Sequence, residues 1–176
     1  MKQIKHSFKT YELCKQVAMD IHKGQTRKMG ADKGKPYFVH PERVANRLLP
    51  ITWPKGDYGD ACVGVLHDCI EDYDPTTLKD SEDKDGTWTG KGYLGFRGVP
   101  KDIIKDVLIL SKKEGEGYYD FIMRVLKSER AIRVKIADIE DNLQSLQDGS
   151  LKDKYLLALY VLKTELKLKK AKKGKK

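Results

Sequence analysis

Four residues of metal-binding type stand out by their order in the chain: His40, the adjacent pair His67-Asp68, and Asp138. Two imidazoles and two carboxylates make a donor set suited to a first-row divalent ion such as Mn²⁺, Fe²⁺ or Zn²⁺, with positions left for water and a substrate oxygen. Such an ion lowers the pKa of water towards neutrality, which is the chemistry of hydrolysis. The pair lies in the apolar run Val65-Leu66-His67-Asp68-Cys69-Ile70-Glu71-Asp72. Four residues make a little more than one helical turn, so His67 would share a face with Glu71, and Asp68 with Asp72. Burying three acids and a histidine on a core-facing segment is costly without compensation, and a divalent cation supplies it.

These residues need helices to bring them together, and apolar residues do recur at helical intervals. Phe8, Tyr11, Cys14, Val17, Ala18 and Ile21 form one stripe, which predicts a helix over residues 7–23, capped by Ser7 and ended by Gly24. Residues 25–37 are polar and glycine-bearing and read as a loop. His40-Pro41 opens a second helix through about Leu49, with Pro50 and Pro54 ending it. A third is expected over 57–73, broken by Asp74-Pro75-Thr76, with a short helix from Thr76. Residues 83–98 carry five glycines with Trp88, Tyr93 and Phe96 between them and read as a long irregular loop, either a lid or a packed surface loop. Further helices are expected from Pro100 to near Ser111, over 118–126, over 129–146 and from Leu151 to about Leu168. Strand-like alternation is scarce and no internal repeat is present. The expected fold is a single compact all-α domain.

Composition narrows the function classes. The chain has 176 residues, enough for one domain with a proper core. No apolar run approaches a membrane span, and the N-terminus carries no signal-like apolar core. Cys14, Cys62 and Cys69 lack zinc spacing and fit reduced, packed thiols of a cytoplasmic protein. The net charge of +9 is concentrated: residues 167–176 hold seven lysines, which leaves +2 on the other 166. Residues 1–166 are therefore read as the domain, and 167–176 as a disordered or frayed tail capable of weak, salt-sensitive contact with a polyanion. Glu140 and Asp141 read as solvated helix residues, His6 as exposed, and His22 as a packing residue at a helix end.

Four segments resemble the HD-superfamily phosphohydrolases, and within them the small single-domain alarmone hydrolases of the RelA/SpoT type. They are His22-Lys23-Gly24-Gln25-Thr26-Arg27-Lys28, Pro36-Tyr37-Phe38-Val39-His40-Pro41, the His67-Asp68 run through Asp72, and Val134-Lys135-Ile136-Ala137-Asp138-Ile139-Glu140-Asp141-Asn142-Leu143. The resemblance runs from about residue 8 to residue 160. It implies an HD-domain helical bundle with a glycine-rich loop insertion and a basic tail. It also implies that His40, His67, Asp68 and Asp138 hold the metal, Mn²⁺ foremost, and that Glu71 and Asp72 position or deprotonate the attacking water. Arg27 would lie against the purine, Lys28 would neutralise phosphate, Asn142 would bond the ribose or a phosphate, and Lys112 or Lys113 would contact a pyrophosphate. The implied reaction removes the 3′-pyrophosphate of a guanosine alarmone; the alternative is another nucleotide or nucleotide cofactor. Asp141 departs from the pattern, where a histidine or aromatic residue is usual. After Asn142 there is room for one more helix, so no synthetase domain is expected.

Overall fold

Ser7 starts the first helix in the expected way: its hydroxyl accepts from the Thr10 amide at 3.3 Å, and α1 runs Phe8–Ile21. The protein, a computed structural model, is described over residues 4–28, 32–76 and 89–174. Seven more helices follow: α2 (Val39–Thr52), α3 (Gly59–Leu66), α4 (Gly90–Phe96), α5 (Lys101–Leu110), α6 (Tyr118–Val125), α7 (Glu129–Leu143) and α8 (Ser150–Lys173). Among the described residues the β-pairing is limited to one isolated antiparallel bridge, Thr26 with Pro36. The all-α expectation holds.

The bundle is organised around α3, whose eight residues are all buried and which packs against α1, α2, α5 and α7. A helix buried all round belongs at the centre, and its one charged residue, Asp60, is paired with Arg133 Nη2 at 2.9 Å. Its approach to α2 is close: a Cβ on Gly64 would lie 2.8 Å from Leu48 Cδ1 and 3.3 Å from Ala45 Cα. That glycine lets the helix carrying His40 meet the one leading to His67.

Several boundaries differ from the expected ones. The third helix does not reach residue 73. It stops at Leu66, where the Cys69 amide bonds the Leu66 carbonyl at 2.9 Å in a tighter closure, and His67 onward forms turns. One helical spacing persists there, the Asp72 amide to the Asp68 carbonyl at 3.0 Å. Conversely α2 runs through Pro50 to Thr52 and passes into a 3₁₀ turn, Trp53–Lys55. The proline removes one donor in the last turn, where Thr52 Oγ1 bonds the Leu48 carbonyl at 3.3 Å. Part of the glycine-aromatic stretch is helical: Thr89 caps α4 by accepting from the Gly92 amide at 3.2 Å, and Tyr93 and Leu94 enter the core. Residues 83–88, and all but the first residue of the short helix expected from Thr76, lie outside the described residues.

Within the described residues the lysine-rich end is helical as far as Lys173, whose ammonium reaches Glu129 Oε1 at 2.7 Å. His6 is buried, not exposed, with Nε2 2.8 Å from Asp102 Oδ2. All three cysteines are buried and free. No helix among the described residues is long and apolar enough to cross a membrane.

Candidate metal centre and its cleft

Three helices each deliver one donor to a common point. His40 lies in the first turn of α2, His67 caps the C-terminus of α3, and Asp138 sits in the middle of α7. Ligand atoms of these three buried residues lie within 4.8 Å of one another. His40 Nε2 is 3.1 Å from Asp138 Oδ1, and His67 Nε2 is 3.6 Å from the same oxygen. Asp68, the fourth expected ligand, stands at the edge of this group. Its Oδ2 is 3.1 Å from His67 Nε2 and 3.9 Å from His40 Nε2, and it accepts from the Tyr37 hydroxyl at 2.7 Å.

The donor chemistry fits a divalent cation. His67 Nδ1 donates to the Gly64 carbonyl at 2.8 Å, and His40 Nδ1 faces Asp141 Oδ2 at 2.8 Å. In its neutral form each ring would therefore carry its single N–H on Nδ1 and turn an Nε2 lone pair towards carboxylate oxygens. His67 Nε2 is buried and has no hydrogen-bond partner. Acceptors facing acceptors in a buried site call for positive charge between them. The proton equilibria show the same demand. Burial opposes charge on His67, yet the Asp68 and Asp138 carboxylates outweigh it and hold the ring well above its ordinary pKa. Burial likewise opposes ionisation of Asp138, and Lys135 with the two imidazoles pulls it well below the carboxylate range.

A ring of contacts holds this centre. Lys135 Nζ binds Asp138 Oδ2 at 2.6 Å, and Asn142 Nδ2 donates to Asp138 Oδ1 at 2.7 Å. Arg27 Nη2 then donates to Asn142 Oδ1 at 3.1 Å, with the guanidinium carbon 5.6 Å from the centre of the Tyr37 ring. Arg27 and Asn142 are thereby joined to the metal centre and to each other. Sequence reading did not single out Tyr37, Lys135 or Arg43. Lys135 was detectable by its i,i+3 spacing to Asp138; Tyr37 had only its place beside His40 as a signal. Asp141 was read as solvated and is buried, because Arg43 supplies a paired cation: Nε donates to Oδ1 at 2.8 Å and Nη2 to Oδ2 at 3.0 Å. Burial raises the Asp141 pKa, but the His40 and Arg43 bonds bring it to about 2.

Beside the centre lies a cleft of two lobes, reached through Asn142, which bonds Asp138, and Tyr37, which bonds Asp68. One, about 680 Å³, is lined by Gln25, Arg27, Lys28, Tyr37, Glu71 and Asp72 among others. The second, about 700 Å³, shares Arg27, Lys28 and Asn142 and adds Lys33, Ser150 and Tyr155. Asp72 is raised to about 6 by burial and by the charges of Asp68 and Glu71. Burial also raises Glu71, whose Oε1 accepts from the Lys112 amide at 2.6 Å. Lys112 therefore meets the site through its backbone, and it lines neither lobe.

No family model matches the chain. It is 36% identical over 138 residues to the bifunctional (p)ppGpp synthase/hydrolase SpoT of Escherichia coli K12, covering 77% of this chain and 18% of that protein. It is 31% identical over 132 residues to a guanosine-3′,5′-bis(diphosphate) 3′-pyrophosphohydrolase of Vibrio cholerae, covering 74% and 17%. The chain thus spans under a fifth of the length of these relatives. Among solved structures it shares its fold with a metazoan ortholog of SpoT described as hydrolysing ppGpp, with a TM-score of 0.60 and 20% identity over 93% of this chain and 88% of that one. With the helical bundle and the His40, His67 and Asp138 convergence, these likenesses identify the chain as a member of the HD-type RelA/SpoT hydrolase family.

Proposed function

We propose that the chain hydrolyses guanosine 3′,5′-bis(diphosphate), or the corresponding pentaphosphate, releasing pyrophosphate and GDP or GTP. The observation that carries this reading is the buried cluster of His40, His67 and Asp138, whose imidazole and carboxylate atoms can ligate a metal, beside a cleft lined by Arg27, Lys28 and Lys33. His40, His67 and Asp138 would hold the metal, with Asp68 as the fourth ligand. A divalent ion there, with Mn²⁺ as the first candidate, would supply Lewis acidity and lower the pKa of water.

The remaining work falls to side chains of this chain. Asp72, with its pKa raised to about 6, is matched to taking a proton from water near neutral pH, and Glu71 lies beside it in the same lobe. Water oxygen bonds to the 3′ phosphorus as the bond to the ribose 3′-oxygen breaks; that oxygen leaves with a proton, and the pyrophosphate carries the water oxygen. Arg27 and Lys28 bind and orient the polyphosphate, and Arg27 offers a planar face to the purine. Asn142 fixes Asp138 and holds Arg27 in place.

We further assign residues 1–166 to the catalytic unit, the lysines of 167–176 to a weak polyanion contact, and the protein to the cytoplasm. Assay of purified protein with Mn²⁺ against a nucleotide panel, with Asp68→Ala as control, tests the reaction. Selective Mn²⁺-dependent release of pyrophosphate from the alarmone is expected. Folded, Mn²⁺-loaded protein that leaves the alarmone intact overturns it.

A further inference from the structure

One carboxylate next to the metal centre contacts neither the cleft nor the point where the ligands meet. Asp141 follows Asp138 by three residues on α7, and its side chain is fully buried. Across from it α2 presents His40, Arg43 and Arg47, spaced by three and four residues and so sharing one face. Asp141 Oδ2 lies 2.8 Å from His40 Nδ1, while both its oxygens accept from Arg43. Arg47 Nε stands 3.8 Å from Oδ1. Arg43 in turn extends Nη1 to Asp32 Oδ2 at 2.7 Å, and Asp32 also takes Lys35 Nζ at 2.7 Å.

We propose that Asp141 is a positioning residue for the metal ligand His40: it holds the His40 proton on Nδ1 and aims the Nε2 lone pair at the centre, while Arg43 clamps Asp141 in that orientation. A carboxylate behind a ligating imidazole fixes its tautomer and ring plane and increases its donor strength. An ordinary buried ion pair would not need the imidazole. Here the bidentate Arg43 bond occupies one side of the carboxylate and leaves Oδ2 directed at His40, so His40 is the third member of a chain running Asp32, Arg43, Asp141, His40. The inference rests on the divalent-metal reading of the site, and its test involves no nucleotide.

The experiment is a Mn²⁺ titration of the full chain, followed by calorimetry, for wild type, Asp141→Asn, and the double variant Asp141→Asn with Arg43→Gln. Asparagine keeps the shape and removes the charge; the double variant avoids stranding Arg43 and protects against misfolding of the single one. Asp141→Asn is expected to weaken Mn²⁺ binding about 10- to 100-fold, and the double variant to remain equally weak. Wild-type affinity in Asp141→Asn overturns the proposal. So does recovery of affinity in the double variant, which would make Asp141 a partner for Arg43 and nothing more. Wild type that binds no Mn²⁺ removes the metal reading itself, and this inference with it.

Discussion

The helices α3 and α7 carry two buried charge clusters, one near each end, and the two are built on opposite logic. At the N-terminal ends, Asp60 of α3 meets Arg130 and Arg133 of α7, joined by Asp102 and Asp106 of α5 and by His6. Donors there face acceptors: Arg130 Nη1 lies 3.2 Å from Asp102 and 3.1 Å from Asp106, and Arg133 Nη2 lies 2.9 Å from Asp60. The atoms left over, Nε and Nη2 of Arg130, are donors and have no use for a cation. At the other end, a neutral His67 faces Asp138 acceptor to acceptor across 3.6 Å, and the atom left over is an imidazole Nε2. Both clusters are buried and rich in charge, so neither burial nor charge count separates them. The sign of the unsatisfied atom does. A cluster whose leftover atoms are donors holds the bundle together, whereas one that leaves an imidazole acceptor unpaired, with Lys135 on only one oxygen of Asp138, has room for a further cation.

Substitutions can break that contrast. Asp60→Ala leaves the buried Arg130 and the partly buried Arg133 guanidiniums without their shared carboxylate and is expected to cost about 3–5 kcal/mol of stability, read by urea denaturation, with Mn²⁺ affinity per folded molecule unchanged. A matching loss of metal binding would show the clusters to be one unit. Asp138→Ala should do the reverse, reducing turnover by more than about 100-fold, since loss of a ligand exceeds loss of its supporting partner, while the metal-free protein melts no earlier than wild type. Marked destabilisation there would make Asp138 a structural ion-pair residue through Lys135.

Between the clusters, Gly64→Ala pushes α3 away from α2 and is expected to cost about 1–3 kcal/mol while also weakening metal binding, because His40 and His67 ride on those two helices. Metal affinity that survives the strain would show that the centre adjusts independently of the helix pair. The smallest effect concerns pH. If Asp72 is the proposed base, it works only when ionised, so activity should fall as pH drops through its pKa, with the acid limb at or below about 6 once a bound cation favours the carboxylate. A pH–rate profile in which Asp72→Asn keeps the same limb and most of its turnover would take that role from Asp72.

How far the sequence discloses this depends on the kind of signal. Helix identity was legible because Phe8 to Ile21, or Ile103 to Leu110, repeat apolar residues at a period that packing enforces. The convergence of His40, His67 and Asp138 followed from residue type and order. The end of α3 was not legible: Cys69 and Ile70 continue the apolar pattern, while the chain turns under hydrogen bonds from Cys69 and the His67 ring. Asp141 was misread for a similar reason. Its burial depends on Arg43, 98 positions earlier, and no local pattern conveys a partner at that distance.

The bridge between Thr26 and Pro36 has a consequence for ligand capture. Backbone bonds from Arg27 to Lys35, from Gly34 to Arg27 and from Tyr37 to Gln25, each 2.9 Å, fasten both sides of this segment. The Arg27 side chain is already held by Asn142 and Tyr37 before any ligand arrives. Ordering a long side chain on binding costs about 0.5–1.5 kcal/mol, and for Arg27 that entropy was surrendered during folding. If Arg27 binds the polyphosphate as proposed, the ligand meets a guanidinium already held by Asn142 and Tyr37, so its affinity should fall markedly with the loss of Asn142.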